Sequence, residues 1–85
     1  MSSTDEGGLL AFLREQLCSK LHLASHEIID EKPLNAHGAD SVFVSELLYE
    51  LEEQFGIHAS DEQLWKAPSL RALAGTLVAL LGSRR

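Results

Sequence analysis

Apolar residues recur along this chain at intervals of three and four, the rhythm of helices with one buried face, and no stretch alternates as a strand would. Leu10, Leu13, Leu17 and Leu21 step by 3, 4 and 4, which at about 100° per residue gathers them on one side of a helix. A first helix from about Gly8 to Leu21 is predicted, with Ser3 or Thr4 available to cap it. A second runs from about Ser41 to Phe55 and stops at Gly56, a residue suited to ending a helix. Ser60 and Gln63 have the spacing of a capping box, which starts a short third helix reaching about Lys66. Pro68 and Ser69 open a fourth, in which Leu70, Leu73, Leu77 and Leu80 or Leu81 keep the helical interval. Gly75 inside that helix costs about 1 kcal/mol relative to alanine. The pattern predicts an all-α bundle of three longer helices and one short one.

Between the first two helices the rhythm lapses. From about His22 to Ala39 the chain is punctuated by Pro33, Asn35 and Gly38. A connection of this length is uncommon in a small domain unless it is pinned or functional. Ile28, Ile29 and Leu34 are the residues expected to tuck it against the helices.

The second helix has two distinct sides. Val44, Leu47, Leu48, Leu51 and Phe55 cluster on the side expected to face the core. Opposite them lie Val42, Glu46, Tyr49 and Glu53, flanked by Ser41, Ser45 and Glu52 on one edge and by Phe43 and Glu50 on the other. A purely solvated face has little use for Val42 and Tyr49. Apolar groups set among acids suit docking onto a basic, grooved partner, with charge aiding encounter and apolar groups supplying contact. The competing reading is that isolated exposed apolar residues are ordinary on any surface.

Composition bounds the class. Eighty-five residues, 45 % of them hydrophobic, make one small domain with enough apolar material for a core. The expected domain is 1–85, with loose tails at 1–7 and 83–85. Cys18 is the sole cysteine, which excludes an intramolecular disulfide and a C-x-x-C site. It lies beside the apolar face of the first helix, where a packed or idle thiol is expected. No segment is apolar enough to span a membrane, and the acidic N-terminus lacks the layout of a signal peptide. A cytoplasmic, monomeric, discrete protein is the expectation.

Charge sharpens this picture. The net charge is −6, yet residues 27–62 hold ten acids against Lys32 alone, for −9. The first 26 residues sum to −1 and the last 23 to +4. So negative a centre repels nucleic acid and draws basic protein partners. Of the four histidines only His22 and His26 have a helical i, i+4 spacing, and no metal site is expected. No Gly-x-Ser-x-Gly elbow surrounds Ser41, so a hydrolase triad with Asp40 and a histidine is rejected and no enzymatic activity is expected.

One run is specific. Gly38-Ala39-Asp40-Ser41-Val42, followed by Glu46-Leu47, Leu51-Glu52 and Phe55-Gly56-Ile57, resembles the acyl carrier protein family over essentially the whole chain. The resemblance implies a four-helix acyl-carrier-like bundle with a long loop between helices 1 and 2, in which the motif serine begins the second helix. It implies that a phosphopantetheinyl transferase moves 4'-phosphopantetheine from coenzyme A onto Ser41, with Asp40 orienting the site and contributing to transferase recognition. The terminal thiol of that arm carries acyl or aminoacyl groups as thioesters. Implied partners are an acyl- or aminoacyl-loading enzyme and ketosynthases or other thioester-processing enzymes with basic docking surfaces. The partner face falls on Val42, Ser45, Glu46, Tyr49 and Glu53. Departures from the family pattern are Val42 for leucine, Ser45 for an aliphatic residue and His37 for leucine. The expected role of His37 is none, as an exposed loop residue.

The expected function is a carrier for polyketide or fatty-acid-type biosynthesis. The alternative is a peptidyl or aminoacyl carrier of a nonribosomal peptide pathway, to which the Pro68-Ser69-Leu70-Arg71-Ala72 opening of the last helix is also similar. A third reading is a helical adaptor that binds partners through the acidic stripe and carries nothing, in which case Ser41 is an ordinary helix cap.

Overall fold

Helix α1 spans Glu6–Leu21, α2 Ser41–Phe55, α3 Asp61–Lys66 and α4 Leu70–Gly82. The structure, a computed structural model, describes residues 5–82, and among these there is no strand. The all-α bundle of three longer helices and one short one is therefore the fold observed.

Each helix starts where a side chain can satisfy its unpaired first N–H groups. Asp5 caps α1, accepting from Gly8 N at 2.9 Å, so the helix begins two residues before the expected Gly8. Asp5, Glu6 and Gly7 are thus cap and first turn rather than loose tail, while Ser3, Thr4 and residues 83–85 lie outside the described residues. Ser60 and Gln63 form the predicted reciprocal box at α3. Ser69 Oγ accepts from Ala72 N at 3.0 Å to open α4. At the other ends, His22 and Gly56 take left-handed conformations, with φ of 57° and 69°, and stop α1 and α2.

The core is leucine above all. Eleven of its seventeen buried residues are leucines, and no polar side chain is buried among the described residues. From α2 it receives Val44, Leu47 and Leu51 as expected, with Leu48 and Phe55 partly buried against it. Phe55 meets Phe12 of α1 edge-to-face, ring centroids 5.0 Å apart at 86°, an arrangement favoured by the ring quadrupoles.

Phe43 corrects the helical-wheel reading. Expected beside the outward stripe, it is 3 % exposed. A wheel centred on one buried face misses a second neighbour: the C-terminal end of α1 comes up on this side, and Leu21 and Phe43 line one cleft.

The long connection is pinned, though not as predicted. Two short 3₁₀ turns, Ser25–Glu27 and Leu34–His37, break it up. Ile28 and Leu34 are buried, but the Ile29 side chain is 46 % exposed. The backbone of Ile29 does the pinning instead, its N–H donating to His37 Nε2 at 3.0 Å. His37 Nδ1 lies 2.8 Å from the Pro33 carbonyl. With Nε2 accepting, Nδ1 carries the proton and donates to Pro33. His37 is thus a half-buried staple, not an idle exposed residue.

Arg14 of α1 reaches into the same segment. One guanidinium nitrogen donates to the Ile28 carbonyl at 3.2 Å and to Asp30 at 2.6 Å; the other donates to the Ser25 carbonyl at 3.0 Å. On the far side the loop closes on α4. Lys32 and Asp30 carbonyls accept from Leu70 and Arg71 N–H, both at 3.0 Å, which fills two donors the helix start leaves open. Arg71 pairs with Glu31 at 2.9 Å and Asp30 at 3.6 Å. The hydrogen bond to Glu31, then its charge, raises the Arg71 pKa above its ordinary value.

Candidate functional site

The chain enters α2 through one forced turn. Leu34–His37 ends at Gly38, whose φ of 89° lies in the left-handed region, where a side chain costs roughly 1–2 kcal/mol. Nothing lies within 4 Å of where a Gly38 Cβ would stand, so the glycine answers to backbone conformation and not to crowding. Ala39 follows, and Asp40 takes an extended conformation as N-cap, its Oδ1 accepting from Phe43 N at 2.9 Å.

That cap decides the reading of Ser41. The cap is Asp40, so Ser41 is the first residue of the helix and not its cap. Its side chain is exposed. Among the described residues none donates to or accepts from the Ser41 hydroxyl. It stands with no folding task at the N-terminal end of a fifteen-residue helix. The helix dipole makes that end positive, and its first N–H groups face outward, so a phosphodiester esterified to this oxygen meets a favourable field. The residues present therefore fit a phosphopantetheine group, with Asp40 holding the turn that presents the serine.

Val42, Ser45, Glu46, Tyr49 and Glu53 are all exposed. Val42 is 64 % and Tyr49 62 % exposed, large values for apolar and aromatic side chains. Glu46 is less simple than the sequence suggests, for its carboxylate lies 3.5 Å from Lys20 Nζ on α1. No local pattern signals a pair 26 positions apart. Trp65, 38 % exposed on α3, was also missed. Its helix has six residues, too few for periodicity to sort faces.

A cleft of about 320 Å³ opens beside Ser41, lined by Lys20, Leu21, Asp40, Val42, Phe43 and Glu46. Cys18 is free and half-buried, as expected of a packed thiol. Among the described residues no group of acids, histidines or cysteines is placed to hold a metal, and no helix is long and apolar enough to cross a membrane.

An exposed, unencumbered serine opening the second helix of a four-helix bundle is the arrangement of a carrier domain. Residues 11–77 match the family described as phosphopantetheine attachment site, and the chain belongs to that family, whose domains hold 4'-phosphopantetheine covalently. Such carriers work with transferase and synthase partners and normally have no catalytic activity of their own.

Among curated proteins, the chain is 35 % identical over 74 residues to 5-methyl-1-naphthoate synthase of Streptomyces sahachiroi. It is 29 % identical over 72 residues to the non-reducing polyketide synthase adrD of Penicillium rubens. These alignments take in 87 % and 85 % of this chain but span only 4 % and 3 % of those proteins. Among solved structures, a free-standing peptidyl carrier protein from an uncharacterized Acinetobacter baumannii secondary metabolic pathway matches with a TM-score of 0.81. That match covers 91 % of this chain and 96 % of that one at 22 % identity, a likeness of fold.

Proposed function

We propose that Ser41 is the residue that bears phosphopantetheine, and that the chain carries acyl intermediates as thioesters in polyketide or fatty-acid-type biosynthesis. The observation that carries the first half is the Ser41 hydroxyl: exposed, free of protein hydrogen bonds and displaced from capping duty by Asp40. The second half is supported by the two curated relatives, one a polyketide synthase and the other a naphthoate synthase. In this reading the reactive sulfur belongs to the arm, and the protein supplies presentation and address. It catalyses nothing itself, and acts in the cytoplasm as a monomer.

Val42, Ser45, Glu46, Tyr49 and Glu53 form the address. The placement of the acids supports this. Glu52 and Glu53 sit in the last turn of α2, which has no basic residue, at the negative end of the helix dipole. Acids there cost the helix about 0.3–1 kcal/mol each. Folding alone disfavours that arrangement, whereas a basic partner benefits from it. The partners are a phosphopantetheinyl transferase, a loading enzyme and a ketosynthase or similar thioester-processing enzyme.

Intact mass tests the assignment directly. After incubation with coenzyme A and a broad-specificity phosphopantetheinyl transferase, the wild type gains one phosphopantetheine and Ser41→Ala gains none. An unmodified wild type leaves the adaptor reading standing, and an adduct surviving Ser41→Ala places the arm elsewhere. Mass spectrometry of the natively loaded protein then separates an acyl from an aminoacyl cargo.

A further inference from the structure

His37 is half-buried and its contacts admit one protonation state. Nε2 accepts from the Ile29 N–H at 3.0 Å, and Nδ1 lies 2.8 Å from the Pro33 carbonyl. A backbone N–H can only donate, so Nε2 must be bare; a carbonyl can only accept, so Nδ1 must hold the proton. Only the neutral ring with its proton on Nδ1 meets both demands.

The bond to Ile29 joins the turn that leads to the serine to a fixed part of the loop. Ile28 is buried and its carbonyl accepts from Arg14, which also pairs with Asp30. On the other side of the bond, Ser41 stands four positions beyond His37. The turn between them is held by backbone bonds that lengthen toward the serine: Ala36 N–H to the Pro33 carbonyl at 3.1 Å, Gly38 to Asn35 at 3.2 Å and Ala39 to Leu34 at 3.4 Å. A segment held this lightly depends on the staple at its flank.

We propose that His37 is a positioning residue for phosphopantetheine transfer, and that its staple opens when the ring is protonated. The inference rests on Ser41 being the attachment residue. A proton taken from solvent onto Nε2 sets two N–H donors against each other. The Ile29 N–H then turns to water, and the imidazolium keeps only its bond to Pro33. Histidine side chains change charge between about pH 5 and pH 8. Because the bond needs the neutral ring, it is present at the upper end of that window and lost as pH falls. The charges on the surrounding elements have other partners. Asp30 and Glu31 of the loop pair with Arg71 of α4. On α3, which packs against the Leu34–His37 turn, Glu62 pairs with Lys66. Asp40 accepts from Phe43 N. Lys32 and Asp61, one of each sign, are not bonded to the imidazole either. The device is therefore the hydrogen bonding of the ring and not an ion pair. With the staple open, the core stays folded and the Ser41 hydroxyl is held less firmly for the transferase.

Ring nitrogen chemical shifts of the isotope-labelled protein read the proton directly. At about pH 8 Nδ1 carries it and Nε2 is bare, and toward about pH 5 both are protonated. Across that window the protection factor of the Ile29 amide falls about fivefold, the size of one neutral hydrogen bond, while that of Leu47 holds. His37→Gln offers an amide oxygen that accepts without titrating and keeps Ile29 protected throughout; His37→Leu offers no acceptor and leaves it unprotected throughout. The kcat/KM of a phosphopantetheinyl transferase, followed by intact mass, is measured on wild type and His37→Gln at each pH, so that the enzyme's own pH dependence cancels in the ratio. The ratio of wild type to variant falls about fivefold toward acid. A proton on Nε2 at the upper end of the window overturns the staple. Ile29 protection that stays level while the ring titrates overturns the switch. Both readouts come from the wild type, so a poorly folded variant cannot hide either failure. A level transfer ratio beside a working switch overturns the positioning role. A wild type that takes no phosphopantetheine at any pH overturns the attachment assignment and the positioning role with it, while ring shifts and Ile29 protection still decide the staple.

Discussion

Arg14→Met removes the contacts that tie α1 to the loop leading into the motif serine. Four contacts go at once: hydrogen bonds to the Ile28 and Ser25 carbonyls, at 3.2 and 3.0 Å, a long one to the Ser25 hydroxyl at 3.4 Å, and the ion pair with Asp30 at 2.6 Å. A hydrogen bond from a charged donor is worth about 1.5–3 kcal/mol. The Arg14 side chain is 30 % exposed, which argues for the bottom of that range, and a partly exposed ion pair adds no more than about 1 kcal/mol. Asp30 keeps a second cation in Arg71, so no carboxylate is stranded. The expected loss is about 3–4 kcal/mol by urea unfolding with m unchanged. At roughly 4–8 °C per kcal/mol for a domain this size, the melting point falls by about 12–30 °C. Arg14→Lys is the sharper variant. An ammonium can still pair with Asp30 but cannot fork to two carbonyls, so it keeps less than half of the contribution. Hydrogen exchange in Arg14→Lys speeds up at Ile29 and Ala36, whose N–H groups bond within the loop, before it does at Leu47. Stability of Arg14→Lys equal to wild type, or uniform acceleration across the core, refutes the argument that the guanidinium fork pins the loop.

Three further outcomes follow from the site. Asp40→Ala deletes the cap bond to Phe43 N at 2.9 Å and lowers stability by about 1 kcal/mol, readable by urea unfolding, with slower phosphopantetheine transfer in the same preparation. Gly38→Ala costs about 1–2 kcal/mol from its φ of 89° alone; a melting point unchanged from wild type contradicts the left-handed turn. Val42→Ala and Tyr49→Ala, at exposed positions, change stability by less than about 0.5 kcal/mol. They are nonetheless expected to raise the KM of at least one partner enzyme by about tenfold, the size of a contact worth about 1.4 kcal/mol; turnover equal to wild type with transferase and loading enzyme alike removes them from the docking face.

What the sequence disclosed was local. Leucine intervals fixed α1 and α4, the Ser60 and Gln63 box fixed the start of α3, and Gly56 fixed the end of α2, because each signal lies within one helix or its cap. The family motif around Ser41 was legible for the same reason, its spacing lying within one loop and one helix. Contacts between distant segments left no trace in the pattern. Phe43 was misplaced because a wheel knows one buried side, while α1 supplies a second. Ile29 looked like an apolar pin and proved to act through its backbone, with His37 as the partner. Lys20 drew no notice at all, since nothing about a lysine at the end of one helix announces a glutamate on another.

The division of labour on α2 bears on how such a protein diverges. Its buried residues are Phe43, Val44, Leu47 and Leu51, with Leu48 and Phe55 partly buried against the core, whereas the outward positions are exposed. A lineage can therefore rewrite Ser45, Tyr49 or Glu53 one substitution at a time without passing through misfolded intermediates. New partnerships should accumulate on those outward positions, while the inward ones change slowly, held by the core they fill.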